Sequence, residues 1–417
     1  MKFQSKKAVA LLLSASLMAT MAACGVSEKQ TTDANTKAET VVETVAAEQT
    51  AVTEQQTEAT ASEFFTERDL TQTPDLTDAE TITVSDGETY TLTEEGTYLL
   101  SGTAENAQIV VEAAEDAKVQ LVLDDLTVTN DDAPVIYVKS ADKVFVTTSD
   151  GGSALSVTGA FAADGEENTD AVIYSKEDLV LNGVGTLTIS STDNGVSCKD
   201  DLKITGGAYV ITCTSDALEA NDSISIADGD FTITAGKDGL HCEYDEDLTV
   251  GSILIQGGSF RIEAGSDGIQ GTTVTQIDGG EIQISASEGI ESTFVQINGG
   301  EVAISAADDG VNAAQKSTAC ETGVEITGGS VSVTMAQGDT DAIDSNGYIL
   351  ISGGAVEISA QFAFDYITTA SHTGGTITVN GETISEITQS MMMGGMGGMG
   401  GHGGMGGPGG MGSGHGF

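Results

Sequence analysis

The sequence predicts an all-β fold, a parallel β-helix with about 21–24 residues in each coil. The first observation is a fixed period. An acid, a small residue, an aliphatic and a polar residue recur from Asp267, Glu288 and Asp309, 21 residues apart each time. The second is that Gly pairs such as Gly279-Gly280 precede stretches in which apolar and polar residues alternate. An apolar spacing of two is typical of strands and not of helices, so three strand-like pieces per repeat indicate a β-solenoid.

Residues 1–24 have the features of an export signal. Three lysines lie within the first seven residues, and a short apolar run then ends in Met21-Ala22-Ala23-Cys24, which resembles the lipobox of bacterial lipoproteins. The run is short for a membrane span. We expect cleavage before Cys24, lipidation of Cys24, and attachment to the extracellular face of the cell membrane. The alternative is an ordinary cleaved signal with an incidental Cys.

Three further segments follow the signal. Residues 25–78 are rich in Thr, Ala, Glu and Gln, and this composition buries too little surface to offset chain entropy, so we expect a disordered acidic linker. The apolar pair Phe64-Phe65 is interpreted there as a chance pair or a weak lid. Residues 79–390 carry the strand-like pieces and form the predicted β-helix domain. Residues 391–417 are Met-Gly-Gly repeats with two His, for which we expect a disordered tail; a soft-metal site is the alternative.

The composition restricts the partners. The chain has 417 residues, with 64 acidic and 15 basic side chains and a formal charge of −49. This charge repels phosphates, so nucleic acid is not an expected partner, whereas cations or neutral surfaces are. Cys198 and Cys242 share a register two coils apart, about 10 Å, which is too far for a disulfide. We therefore expect free cysteines in the coils.

Two columns of oxygen-bearing side chains follow from the period, because equivalent positions of successive coils stack at one strand spacing. The acid of each motif forms the first column, and the polar residue three places later forms the second, which also contains His241 and Gln270. Neighbouring carboxylates raise one another's pKa and need neutralisation. Lys and Arg are scarce, so Ca²⁺, which takes roughly six to eight oxygens, is the expected cofactor. The predicted metal ligands are Asp216, Glu219, Asp238, Asp267, Glu288, Glu291, Asp309, Asn312, Asp341 and Asp344. The alternative is that they are solvated turn residues.

Several segments resemble a known family. They are residues 119–126 (VQLVLDDL), 287–291 (SEGIE), 308–313 (DDGVNA) and 341–347 (DAIDSNG). They are similar to the clostridial carbohydrate-binding β-helix family, surface proteins akin to a cellulose- and pectin-binding adhesin, over roughly residues 79–385. The resemblance implies a right-handed parallel β-helix like that of polysaccharide lyases. It also implies bound Ca²⁺ and binding of plant polysaccharide without demonstrated catalysis.

Three classes of function remain open. The first is a lipid-anchored, monomeric protein that binds plant-type or acidic polysaccharide in the presence of Ca²⁺. The chain has no Trp and 8 Tyr, so few aromatic side chains are available to stack on flat cellulose. Soluble or acidic glycans are therefore expected ligands ahead of cellulose. The second is a polysaccharide lyase, for which Arg261, the one Arg inside the coils, is the candidate base; a solvated surface residue is the alternative. The third is a surface scaffold that binds no sugar. We expect no catalytic residues.

Overall fold

The strands of the protein form three parallel ladders. The structure, a computed structural model, describes residues 64–338 and 340–389. Strands are numbered in chain order, and successive strands of one ladder are hydrogen-bonded in parallel, with a single antiparallel pairing between the last two strands described.

The first ladder consists of β1 (Glu80–Thr83), β3 (Gly96–Glu105), β5 (Lys118–Asn130), β7 (Lys143–Thr148), β10 (Asp178–Gly183), β13 (Asp201–Ile204), β16 (Ser223–Ile226), β19 (Ser252–Ile255), β22 (Val274–Ile277), β25 (Phe294–Ile297), β28 (Gly323–Ile326), β31 (Tyr348–Ile351) and β34 (Ala370–His372). The second ladder takes up the later halves of β3 and β5 and continues through β8 (Gly152–Val157), β11 (Thr186–Ser190), β14 (Ala208–Cys213), β17 (Asp230–Ala235), β20 (Ser259–Ala264), β23 (Glu281–Ala286), β26 (Glu301–Ala306), β29 (Ser330–Met335), β32 (Ala355–Ser359), β35 (Thr376–Val379) and β36 (Glu382–Ile384). The third ladder consists of β2 (Thr89–Leu92), β4 (Gln108–Glu112), β6 (Ile136–Ser140), β9 (Ala171–Ser175), β12 (Asn194–Cys198), β15 (Leu218–Ala220), β18 (Leu240–Cys242), β21 (Asp267–Gly271), β24 (Glu288–Ser292), β27 (Val311–Ala313), β30 (Asp341–Ser345) and β33 (Phe362–Tyr366).

One coil therefore runs through a strand of each ladder in turn, and the predicted all-β solenoid class is confirmed. Alternate side chains point inward and stack on their equivalents in the next coil. Ile262, Ile284 and Ile304 are paired in register and buried. Tyr209, Phe231 and Phe260 stack in the same way, with ring centroids 5.2 Å and 4.5 Å apart. Each buried aliphatic side chain contributes roughly 1.5–3 kcal/mol, so the continuous stack is the main stabilising element.

The Gly pairs turn the chain between the first and second ladders. The second Gly of each pair has a positive φ, as at Gly280 (95°) and Gly300 (81°). A Cβ at Gly300 would lie 2.8 Å from the Gly280 carbonyl oxygen of the preceding coil. Only Gly accommodates both the conformation and this close stacking.

The predicted linker boundary at residue 78 is corrected by the structure, because the chain from residue 64 packs against the first ladder. Phe65 is 3% exposed and Asp69 is fully buried, with its Oδ1 3.5 Å from Lys143 Nζ. Gln72 donates to the Thr205 carbonyl oxygen at 2.9 Å and accepts from the Gly183 N–H at 2.8 Å. Aromatic and hydrogen-bonding side chains within an otherwise linker-like composition thus form a strap, residues 64–72, over the coils.

The remaining segment predictions fall largely outside the described residues. These are the signal peptide with Cys24, the linker up to residue 63 and the tail 391–417. Among the described residues, none belongs to a helix with the length and apolar character needed to cross a membrane. Cys198 and Cys242 both pair with Ala220 between them, which confirms their predicted register, and the four described cysteines are free.

Candidate functional site

The two predicted columns lie along the third ladder, at and just after the corner where each coil leaves the second ladder. Asp267 pairs with Glu288 at the start of their strands. Three places later, consecutive pairing joins Glu219, His241, Gln270, Glu291, Asn312 and Asp344. The stacking of the columns is therefore confirmed, and the metal-binding role of their members remains a prediction. Asp170, an acid in an earlier coil, lies one place before this register, because Asn194 pairs with Ala171.

Several acids of the first column also hold the next coil in place. The Asp238 N–H donates to Asp216 Oδ1 at 2.9 Å, and the Asp267 N–H donates to Asp238 Oδ1 at 2.8 Å. Asp341 makes the same bond to Asp309 Oδ1 at 3.2 Å. These contacts give one oxygen of each accepting carboxylate a structural role and leave the other oxygen for a further partner.

The early part of the columns is neutralised by the protein itself. His241 Nδ1 lies 3.4 Å from Asp216 Oδ2 and 3.8 Å from Asp238 Oδ2. Burial alone would lower the pKa of His241, but these carboxylates raise it to about 9, so the imidazole is charged at neutral pH. Lys199 Nζ lies 3.4 Å from Glu219 Oε1. The expectation that basic side chains are too scarce to neutralise the columns is wrong for this part.

The later part of the columns is different. Ligand oxygens of Asp267, Glu288 and Glu291 all lie within 4.8 Å of one another. Burial, together with the neighbouring carboxylates, raises the pKa of Asp267 to about 7. Burial also raises the pKa of Glu288. Lys316 Nζ lies 2.6 Å from Glu291 Oε2, so one ammonium group faces three carboxyl groups.

An unpaired amide oxygen lies in the same cluster. Asn312 is 8% exposed and its Nδ2 donates to Glu288 Oε2 at 3.0 Å. Its Oδ1 is buried and has no hydrogen-bond partner among the described residues. Burial raises the pKa of Asp309 to about 6, and burial and the Asp365 carboxylate raise that of Asp344. We call this set of six the acid corner; its members are Asp267, Glu288, Glu291, Asp309, Asn312 and Asp344.

Two features of the site escaped sequence analysis. Lys316 reaches Glu291 from a loop between β27 and β28, outside any repeat position. Oxygens of Asp178, Asp200 and Asp201 form a second close group, at the start of the first-ladder strands. Asp178 and Asp201 hold equivalent positions in β10 and β13, so a register count over the first ladder could have found this pair.

Arg261, the candidate base of a lyase, lies on the outer face of β20. Its side chain is 63% exposed, and its Nη2 lies 2.9 Å from Glu263 Oε1. An exposed, ion-paired guanidinium matches the interpretation as a surface residue better than that as a catalytic base.

Fold and site together define a class: an all-β solenoid with a polyanionic corner. Residues 86–342, more than half of the chain, match the model of a family described as carbohydrate-binding domain-containing protein, and the chain belongs to this family. A relative of that description from Acetivibrio thermocellus is 36% identical over 115 residues, which are 27% of this chain and 40% of the relative. This chain thus covers less than half of that relative's length. A solved structure, described as a polysaccharide lyase-like protein from C. thermocellum in a gadolinium derivative, is 29% identical; the match covers 54% of this chain and 96% of that one, with a TM-score of 0.49.

Proposed function

We propose that the protein binds polysaccharide in a Ca²⁺-dependent manner, at the extracellular face of the membrane to which Cys24 anchors it. Membership of the carbohydrate-binding family supports the sugar ligand. The observation that carries the Ca²⁺ dependence is the unpartnered, buried Asn312 Oδ1 inside a cluster of carboxylates. A buried acceptor of this kind costs roughly 1–3 kcal/mol unless a donor or a cation satisfies it.

The donor set of the acid corner fits Ca²⁺. It consists of carboxylate and amide oxygens, which hard cations prefer, and it lacks the nitrogen and sulfur ligands typical of zinc. Asp267, Glu288 and Asn312 form its centre, with Glu291, Asp309 and Asp344 around them. Bound Ca²⁺ would supply positive charge where, among the described residues, Lys316 is the one cation paired with the cluster. Asp216, Asp238 and Glu219 drop out of this set, because two cationic side chains, His241 and Lys199, already pair with these three carboxylates.

Bound Ca²⁺ would also bridge the protein and an acidic glycan. A chain with a formal charge of −49 repels a polyuronate, so an acidic glycan needs a cation between the two carboxylate surfaces. Pectin binding, where present, should therefore vanish with a chelator. Binding of polygalacturonate that persists undiminished in EDTA at low salt contradicts this bridging role.

The ion-binding step is tested by thermal unfolding of EDTA-treated protein during a Ca²⁺ titration. A ligand at 100 times its Kd stabilises the folded state by about 2.7 kcal/mol, so the melting temperature should rise with Ca²⁺. Glu288→Gln should abolish most of the rise, whereas Asp230→Asn, at the exposed start of β17, should keep it. A melting temperature that does not respond to Ca²⁺ in the wild-type protein rules the proposal out.

The proposed role is binding and not catalysis. Its support is the family description together with the surface position and ion pair of Arg261. Incubation with polygalacturonate and Ca²⁺, followed by absorbance of unsaturated products, tests it. Turnover that disappears in Arg261→Ala would establish the lyase instead.

A further inference from the structure

A groove lies on the outer face of the second ladder, apart from the acid corner. Its volume is about 370 Å³, within the range of roughly 300–1,000 Å³ seen for ligand sites. It crosses four consecutive strands, β20, β23, β26 and β29. Because strands of a ladder stack along the solenoid, the groove runs parallel to the solenoid axis.

The groove exists because large outward side chains give way to small ones along two rows. Strand pairing places one row at Arg261, Gln283, Ala303 and Ser332, and the next row at Glu263, Ser285, Ser305 and Thr334. The long side chains stand at the β20 end, and the following residue of the first row is Glu357. Between these ends the outward side chains are the small groups of Ala, Ser and Thr, so a ligand chain could lie close to the backbone.

The side chains that line the groove can form hydrogen bonds and together carry no net charge. Four hydroxyl groups and the Gln283 amide can each donate or accept. The single guanidinium, that of Arg261, is paired with the Glu263 carboxylate at 2.9 Å, and these are the charged groups of the lining. Glu281 and Glu301 flank the groove on the same strands. A polyanion would meet repulsion here, whereas a neutral ligand rich in hydroxyl groups would not.

We propose that this groove binds an uncharged polysaccharide chain lying along the solenoid axis. The Arg261–Glu263 pair and Gln283 recognise sugar hydroxyls at one end, and the floor around Ala303 admits the pyranose rings. The assignment rests on the proposed carbohydrate-binding function and places the neutral glycan away from the acid corner. The groove residues thereby set specificity for uncharged over acidic glycans, because discrimination arises from repulsion as well as from contact.

The test fills the groove with a large side chain introduced at a solvent-facing position. Ala303→Tyr fills the floor, and Ala355→Tyr is a matched control, because Ala355 faces outward on the same ladder but outside the groove. Affinity electrophoresis with soluble xyloglucan, mixed-linkage β-glucan, galactomannan and polygalacturonate compares both variants with the wild type. We expect Ala303→Tyr to weaken binding of a neutral glycan about tenfold or more and Ala355→Tyr to leave it within about twofold. Unchanged Ca²⁺-dependent melting of Ala303→Tyr would show that the coils are intact.

The outcomes separate this proposal from the one on which it rests. Neutral-glycan binding that survives Ala303→Tyr, or equal losses in both variants, overturns the groove and leaves Ca²⁺-dependent binding standing. Wild-type binding to polygalacturonate alone overturns the assignment to uncharged chains. Absence of binding to all four glycans overturns the groove and the carbohydrate-binding function together.

Discussion

The sharpest prediction concerns Asp267, whose pKa is raised from 3.8 to about 7. A carboxyl group with a raised pKa in the folded state stabilises the fold at low pH, and this contribution is lost as the pH rises through the folded value. Without Ca²⁺, the protein should therefore become less stable as the pH rises from 4.5 to 6.5. His241 does not contribute to this loss of stability, because its titration changes the stability of the fold between pH 6.5 and about 9.

The size of this loss of stability follows from the raised pKa of Asp267. Each pH unit between the unfolded and folded values is worth about 1.36 kcal/mol, so two units correspond to ~2.7 kcal/mol. Asp267 is 6% exposed, so solvent screening removes little of this. For a domain of this size the change amounts to a fall in melting temperature of roughly 5 °C. Saturating Ca²⁺ should suppress the fall, because the ion stabilises the ionised carboxylate in place of the proton.

The assay is thermal unfolding of EDTA-treated protein across this pH interval, with Asp267→Asn as the test and Asp230→Asn as the control. Asp230 is an exposed carboxyl group on the second ladder. Asp309, whose pKa is raised to about 6, contributes in the same interval, so we expect Asp267→Asn to reduce the fall by the share of Asp267 and Asp230→Asn to keep the whole of it. If wild type and Asp267→Asn show the same pH dependence, the raised pKa does not belong to Asp267 and the reasoning about the acid corner fails.

Three further predictions concern the groups around the acid corner and the strap. His241→Gln should flatten the loss of stability between pH 7 and 9 in urea unfolding, because a raised histidine pKa contributes stability below 6.5 that disappears through about 9; an unchanged profile would contradict this. Lys316→Met should tighten Ca²⁺ binding by about tenfold in calorimetry, because it removes the ammonium that competes for Glu291, and weaker binding would argue that Lys316 holds the loop in place. Phe65→Ala should destabilise the protein by about 3 kcal/mol and expose residues 64–72 to limited proteolysis, whereas Phe64→Ala, at a half-buried position, should cost less.

Repetition made the regular parts of this protein predictable. A period of 21 residues and an apolar spacing of two determine the register, and the aliphatics at Ile269, Ile290 and Val311 point inward as that register requires. The stacking of the acid column follows from the same count. Each of these inferences uses many equivalent positions, so an error at one coil changes little.

The irregular parts could not be derived in this way. The path of the loop that carries Lys316 depends on contacts such as its backbone N–H bond to Thr293 Oγ1, which no period encodes. The strap has the composition of a linker, and its order depends on individual side-chain contacts, among them those of Phe65, Asp69 and Gln72. The groove arises from small outward residues, which leave no pattern in the sequence because the alternation rule constrains only the inward ones.

The contrast between the two parts of the columns has a local cause at residue 288. Asp216 and Asp238 each accept the N–H of the next acid, and each has an oxygen near His241. Glu288 instead donates its N–H to the Ser266 carbonyl oxygen at 3.1 Å, so within the described coils the Asp267 carboxylate does not receive this bond. The equivalent of His241 in the next coil is Gln270, which carries no charge. Together with burial, the loss of both the N–H donor and the cation at one coil raises the pKa of Asp267 to about 7, and the proposed divalent cation would gain most by binding at this coil.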